Sequence, residues 1–222
     1  MLKNQTAIVT GASRGIGKEI AIQLSNQGMN LALVGSSDEI FQTAKELAEA
    51  GNQNIKAFQV DIANEEQVTE MVKETISAFQ SIDVLVNNAG IGFFKTVDET
   101  SLDEWKKVFE VNVQGVFVAS KAVLSHMKKR KAGTIITISS DVGRYTIANG
   151  SAYTATKYAV QGFSGSLAQE VREYGIRVGT INPGMVDSYF NNGVQGAEEK
   201  KTGLKEKTLQ MQLSIWQARQ SI

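Results

Sequence analysis

Cysteine is absent from this 222-residue chain, and histidine and proline occur once each, as His126 and Pro183. Without a thiol there is no disulfide, no thiolate metal site and no cysteine nucleophile, which fits a reducing compartment. A single imidazole excludes His-rich metal centres and any triad built on another histidine. Net charge is missing too: 23 Lys+Arg balance 23 Asp+Glu, so no global field draws the chain toward nucleic acid or acidic lipid. No uninterrupted apolar run approaches the roughly 18 residues of a membrane span, and Met1 to Thr6 lacks the apolar stretch of a signal peptide. These absences predict a cytoplasmic protein with no metal, no nucleic-acid partner and no membrane partner.

What is present is rhythm. Hydrophobic residues make up 42% of the chain, enough for one globular domain that buries about 70% of its unfolded surface. Short β-branched runs at Thr6–Thr10, Asn30–Val34, Lys56–Val60, Val84–Asn87, Thr134–Ser139 and Arg177–Ile181 predict strands. Between them, Gly15–Gln27, Asp38–Ala50, Glu65–Phe79, Leu102–Arg130 and Ala152–Tyr174 keep helical spacing, and none contains proline. The long stretch from Leu102 reads as one helix with a bend, and the cations Lys128 to Lys131 complement the negative end of its dipole. His126, near that end, is expected to pack or cap. Strictly alternating strands and helices predict a doubly wound α/β fold with a parallel sheet and ligands at the carboxyl ends of the strands.

The first strand runs into Thr10-Gly11-Ala12-Ser13-Arg14-Gly15-Ile16-Gly17 and then a helix. Gly11 can turn the chain, Gly15 leaves room for a pyrophosphate, Gly17 lets the helix pack closely, and the free N–H groups of the helix start face the anion. The loop therefore suits a dinucleotide. About 20 residues on, an acid would read a ribose 2′-hydroxyl, but Gly35, Ser36 and Ser37 stand there. With Arg14 in the loop, this favours a 2′-phosphate and NADP over NAD; Asp38 and Glu39 are explained as residues starting the next helix. Asn87-Asn88-Ala89-Gly90 is a polar strand-end turn that could border the ribose. Tyr153 and Lys157, four apart on a helix that follows Ser139 and Ser140, share a face, where an ammonium would lower the phenol pKa toward working pH.

Together these segments resemble the short-chain dehydrogenase/reductase family from Thr6 to Ser188, in wording closest to 3-oxoacyl-[acyl-carrier-protein] reductases. The resemblance implies a Rossmann-like fold and hydride transfer between a nicotinamide and a carbonyl or alcohol carbon. It implies a tetrad of Asn112, Ser140, Tyr153 and Lys157, with Ser140 preferred to Ser139 because it lies thirteen residues before the tyrosine. Tyr153 would give or take the proton, Ser140 polarise the oxygen, Lys157 hold the ribose and Asn112 position a relay water. Cofactor contacts would come from Gly11, Ser13, Arg14, Gly15, Ile16, Gly17, Ser36, Ser37, Asp61 and Ile62. Asn88, Ala89, Gly90, Pro183, Gly184, Val186 and Ser188 would complete them, with Tyr153 and Lys157. Phe93, Phe94, Val142, Tyr145, Tyr189 and Phe190 are the expected lining of an apolar substrate cleft. The substrate would be a small-molecule or acyl-carrier carbonyl. The helices holding Asn112 and Tyr153 would make a homodimer or homotetramer.

After Ser188 the pattern departs from the family, which continues for around sixty residues beyond the Pro-Gly turn, whereas 38 residues follow Gly184 here. Residues 1–188 are expected to form the dinucleotide-binding and catalytic domain, and 189–222 a lid and an atypical tail without the family's seventh strand. If Gln210 is encoded CAG, the codons from Gln210 to Ala218, shifted by one base, can spell Asp-Ala-Val-Val-Tyr-Met-Ala-Ser, resembling the helix before that strand. A frameshift near Thr208, or a truncation, is the expected cause. Two other readings stay open: an NAD-linked alcohol or sugar dehydrogenase, and a catalytically silent dinucleotide-binding protein.

Overall fold

The first strand, β1 (Thr6–Thr10), is buried along its whole length, and its side chains leave alternately to the two faces of a sheet. Ile8 joins one hydrophobic cluster, Ala7 and Val9 another. This explains why the strands read as continuous apolar runs: each face has its own core. The computed structural model describes residues 2–184. The expected contacts at Val186, Ser188, Tyr189 and Phe190, the lid and the tail lie outside the described residues.

Six parallel strands stand in the order β3-β2-β1-β4-β5-β6. They are β1, β2 (Asn30–Gly35), β3 (Ile55–Gln59), β4 (Val84–Asn87), β5 (Gly133–Ile138) and β6 (Ile176–Ile181). The order reverses between β1 and β4, and at that switch point the loops after the two strands diverge and open a crevice at their carboxyl ends. Helices α1 (Gly15–Asn26) and α2 (Glu39–Glu49) cover one face through Ile20, Leu24, Ile40 and Leu47. The other face carries α3 (Glu65–Phe79), α5 (Gly115–Arg130) and α6 (Ser151–Glu170), packed through Val68, Met71, Val118, Val123 and Leu167. The expected strands and helices are all present, with ends shifted by one or two residues. The expected Ala152–Tyr174 helix is shorter: α6 stops at Glu170, and a 3-10 turn, Arg172–Tyr174, leads to Gly175 at φ +66.

The long helix differs from the expected smooth bend. It is α4 (Leu102–Phe109), then a π-helical turn (Glu110–Gln114), then α5. A π turn inserts an extra residue into the helical ladder and re-aims the side chains within it, and Asn112 is one of them. An 18-residue window of this 29-residue run has the length and composition of a membrane span, at mean hydropathy 1.2. The expectation that nothing approaches such a span was therefore too strong. Here the run is a core helix, with Val108, Val116, Val118, Val123 and Met127 buried. His126 accepts a hydrogen bond at Nε2 from the Ile82 N–H at 3.3 Å, a packing role that ties the helix end to the start of β4.

Candidate active site

The glycine turn is locked to the end of β4 through one hydroxyl. Thr10 Oγ1 accepts from the N–H groups of Asn88 and Ala89, each at 3.0 Å, and donates to the Val86 carbonyl at 3.3 Å. The Asn88 amide donates to the carbonyls of Thr10 and Gly11 at 3.0 and 3.1 Å. Asn88 thus clasps the turn, with its N–H donors committed to Thr10 and Gly11. Space is as tight as the glycines suggest. Gly11 turns at φ +64, and a Cβ there would lie 2.8 Å from the Ala89 Cα; a Cβ on Gly17 would lie 2.1 Å from the Gly11 carbonyl oxygen. Gly17 therefore admits the turn itself as much as the strand.

At the start of α1, no side chain caps the helix and no acid sits in its first turn, so its first N–H groups stay available to an anion. The Ala12 N–H donates to the Val34 carbonyl at 3.0 Å, bringing the turn beside the end of β2. There Ser13 Oγ fills the place a side chain on Gly35 would need, 2.4 Å from its Cβ position. The missing acid at Gly35 thus has a steric cause. Arg14 and Ser36 are exposed. Ile16 packs its side chain into the α1–α2 core, and Ile62 is buried in the other core against Gly115. The buried Ile62 side chain leaves only its backbone for a cofactor contact. Asp61, beyond β3, is exposed and accepts from the Ala63 N–H at 3.0 Å.

On the far side of the switch point the four tetrad residues converge from three elements. Within the π turn, the Asn112 amide donates to the Ile91 carbonyl at 2.8 Å and to Thr156 Oγ1 at 3.1 Å, while its oxygen accepts from the Ile91 N–H at 2.8 Å. Both N–H groups are committed, leaving one acceptor lone pair for the expected relay water. Thr156 Oγ1 in turn donates to the Tyr153 carbonyl at 2.7 Å. Gly90 sits against Asn112, its Cβ position 3.3 Å from the amide oxygen.

The two serines that end β5 part ways. Ser139 donates to the Lys157 carbonyl at 3.2 Å, beneath the helix. Ser140 lies close enough to the Tyr153 phenol to lower its pKa and donates to Asp141 Oδ1 at 2.9 Å. The Asp141 N–H donates to the Pro183 carbonyl at 2.9 Å, which docks the Pro183-Gly184 turn after β6 beside them. Lys157 Nζ donates to the Ile138 carbonyl at 3.0 Å and lies 5.4 Å from the centroid of the Tyr153 ring. Phe94 meets that ring edge-on, centroids 6.0 Å apart. Its loop is held by the ion pair of Lys95 with Glu104, the residue whose carboxylate also completes the capping box of α4. Of the expected cleft residues, Phe94 and Tyr145 are half exposed, Phe93 is partly buried, and Val142 is buried and better described as core.

Burial pushes the Tyr153 phenol well above its ordinary range; the Ser140 hydrogen bond pulls it down and the Asp141 charge adds to the rise. Burial also pulls Lys157 down, to about 8. The pairing in the sequence predicts a lowered Tyr153 pKa; in the structure it is raised, with desolvation the largest cause. Asp141 was missed in the sequence. The signal available was a carboxylate directly after the serine that ends a strand.

The model of the family described as short chain dehydrogenase matches residues 5–199. The chain is 38% identical over 193 residues to a 3-oxoacyl-[acyl-carrier-protein] reductase of Staphylococcus epidermidis, covering 86% of this chain and 79% of that protein. Among solved structures, it resembles an alcohol dehydrogenase of the archaeon Thermococcus sibiricus complexed with 5-hydroxy-NADP, at TM-score 0.87 and 33% identity. That match covers 95% of this chain and 90% of the other. It also resembles a 3-ketoacyl-(acyl-carrier-protein) reductase of Brucella melitensis complexed with NADH, at TM-score 0.89 and 25% identity, over 96% and 91% of the two chains.

Proposed function

The chain belongs to the short-chain dehydrogenase family, and from that premise we propose that it is an NADP(H)-dependent reductase of carbonyl compounds, 3-oxoacyl thioesters among them. One observation carries the reading: a buried tyrosine stands with its ring 5.4 Å from the ammonium of a buried lysine, on the helix that follows Ser140 at the switch-point crevice. A protonated phenol is the form a reductase needs, because the reduced carbonyl oxygen must receive a proton.

The dinucleotide, when bound, supplies the hydride. Gly11 to Gly17 and the open start of α1 would hold its pyrophosphate, with Arg14, Ser36 and Ser37 taking the 2′-phosphate. Asp61 would border the adenine, and the Pro183-Gly184 turn the nicotinamide. Lys157 would hold the ribose. Tyr153 gives its proton to the substrate oxygen, and Ser140 polarises that oxygen as negative charge develops on it. Asn112 acts by fixing Ile91 and Thr156, a positioning role that sets the floor under Tyr153. Phe94 and Tyr145 offer aromatic walls to an apolar substrate body.

The test pairs binding with turnover. NADPH is expected to bind more tightly than NADH, and Arg14→Ala to weaken NADPH by about tenfold, as loss of one charge-assisted bond does, while NADH is unchanged. Equal weakening of both coenzymes would remove the 2′-phosphate assignment. Binding of NADPH without turnover on any carbonyl in a panel that includes 3-oxoacyl thioesters would favour the silent-binder reading instead.

A second copy of the chain is the partner expected on the outer face of α4 and α5. There Trp105, Phe109, Val113 and Phe117, with Phe163 of α6, line a largely apolar groove of about 950 Å³. Phe117 is 47% exposed and Trp105 38%, so both rings would leave water if a second copy packed there. Sedimentation velocity is expected to give a dimer or tetramer, and Phe117→Glu to shift it toward monomer. A wild-type monomer at micromolar concentration would discard this face as an interface.

A further inference from the structure

Two segments meet on one buried hydroxyl, and a third joins them through an amide. Thr156, fully buried and in the same turn of α6 as Tyr153 and Lys157, accepts at Oγ1 from the Asn112 amide at 3.1 Å and donates to the Tyr153 carbonyl at 2.7 Å. Asn112 also pairs with both backbone groups of Ile91, each at 2.8 Å. Three residues further along that loop, Phe94 meets the Tyr153 ring edge-on. We propose that Thr156 is a positioning residue of the reaction: its hydroxyl ties the backbone of the Tyr153–Lys157 turn to Asn112, and through Asn112 to the loop whose Phe94 bears on the phenol ring. The inference rests on the reductase reading above and deepens it.

Proton counting fixes the direction of every bond. The Ile91 N–H can only donate, so it takes the Asn112 oxygen, and the Ile91 carbonyl can only accept, so it takes the nitrogen. The second proton of the amide therefore goes to Thr156, which must accept it and keeps its own proton for the Tyr153 carbonyl. A hydroxyl does both. Valine, of nearly the same shape, does neither, and would leave one proton of Asn112 without a partner at a residue only 3% exposed.

A hydroxyl bonded to its own helix is common and by itself only structural. What sets Thr156 apart is the second bond, which crosses to the π turn. That crossing closes a circuit of contacts: from the Tyr153 backbone through Thr156 and Asn112 to Ile91, along the chain to Phe94, and back to the Tyr153 ring. A break in the circuit lets the phenol shift, and a reacting group tolerates little misplacement.

The experiment compares wild type with Thr156→Val, Thr156→Ala and Thr156→Ser, each as the full chain with NADPH. Thr156→Val is expected to lower kcat for carbonyl reduction by about tenfold, the worth of one buried hydrogen bond. KM and NADPH affinity should stay within about twofold, because the phenol is needed only as its proton moves. Thr156→Ala should act in the same way, and it serves where the valine variant does not fold. Thr156→Ser keeps the hydroxyl and loses a methyl, so it should hold kcat within about threefold of wild type; a role in packing alone predicts that valine is the milder change. In an Asn112→Ala background, Thr156→Val should cost at most about twofold more, since its action runs through the amide. A second readout needs no turnover: the side-chain N–H pair of Asn112, assigned in NMR spectra by its loss in Asn112→Ala, should shift in Thr156→Val and Thr156→Ala and return in Thr156→Ser. Wild-type kcat in a folded Thr156→Val or Thr156→Ala, a Thr156→Ser as slow as either, full additivity with Asn112→Ala, or an unmoved Asn112 signal overturns the proposal. If the wild type reduces no carbonyl, the reductase reading fails, and the Asn112 signal still decides whether Thr156 holds the site.

Discussion

Tyr153→Phe is expected to lower kcat for carbonyl reduction by about 10²–10⁴-fold, the range for loss of a positioned general acid, with NADPH affinity kept within a few-fold. The change removes one oxygen and little volume, and the ring keeps its place against Phe94, whose centroid lies 6.0 Å away. What disappears is the proton that the reduced oxygen must receive. Because that proton is needed only as charge develops on the substrate oxygen, kcat and kcat/KM should fall together and KM should change little. Stopped-flow turnover with a fluorescence titration of NADPH separates the two effects. Retained turnover would mean that another group delivers the proton, and the assignment of Tyr153 would be withdrawn.

Lys157→Met should have opposite effects on activity and stability. The ammonium donates to the Ile138 carbonyl at 3.0 Å and is 8% exposed, and burial has drawn its pKa from 10.5 to about 8. Below pH 8 both the folded and the unfolded chain hold the proton, and the folded state carries the desolvation cost, about 3 kcal/mol from the size of the shift. Between pH 8 and 10.5 the folded state releases the proton while the unfolded chain keeps it, so in the wild type this group makes stability rise with pH across that window. Methionine removes the cost and forfeits one hydrogen bond of about 1 kcal/mol. At pH 7 the variant should therefore melt a few degrees higher, lose the alkaline rise in stability, and turn over at least about 10²-fold more slowly. Thermal denaturation at pH 7 and pH 10 beside a kinetic assay reads all three. A lower melting temperature at pH 7 would show that the ammonium is held by more than it loses, and the account of its burial would be wrong.

Both results depend on features of unequal legibility. The six strands, the glycine turn and the four-residue step from Tyr153 to Lys157 could be read along the chain, because each is a local pattern: an apolar run, a spacing of glycines, one helical turn. The preference for Ser140 over Ser139 came from the family resemblance, and in the structure the two serines have different partners, Ser139 the Lys157 carbonyl and Ser140 the Asp141 carboxylate. Asn112 was legible as a residue of the site but not in its action, since the π turn that aims it and the Ile91 and Thr156 groups that hold it belong to different segments. The clasp of the Asn88 amide on the glycine turn was likewise not legible, since it joins residues almost eighty apart in the chain.

The sequence by itself determined the order of strands and helices and the family, because periodicity and motif spacing are properties of neighbouring residues. Only the tertiary structure decided how the site is charged. Whether Tyr153 keeps its proton depends on how completely β5, α6 and the loop after β4 exclude water, and on the negative charge of Asp141. Desolvation and hydrogen-bond closure arise between segments distant in the chain, and no spacing along one helix encodes them.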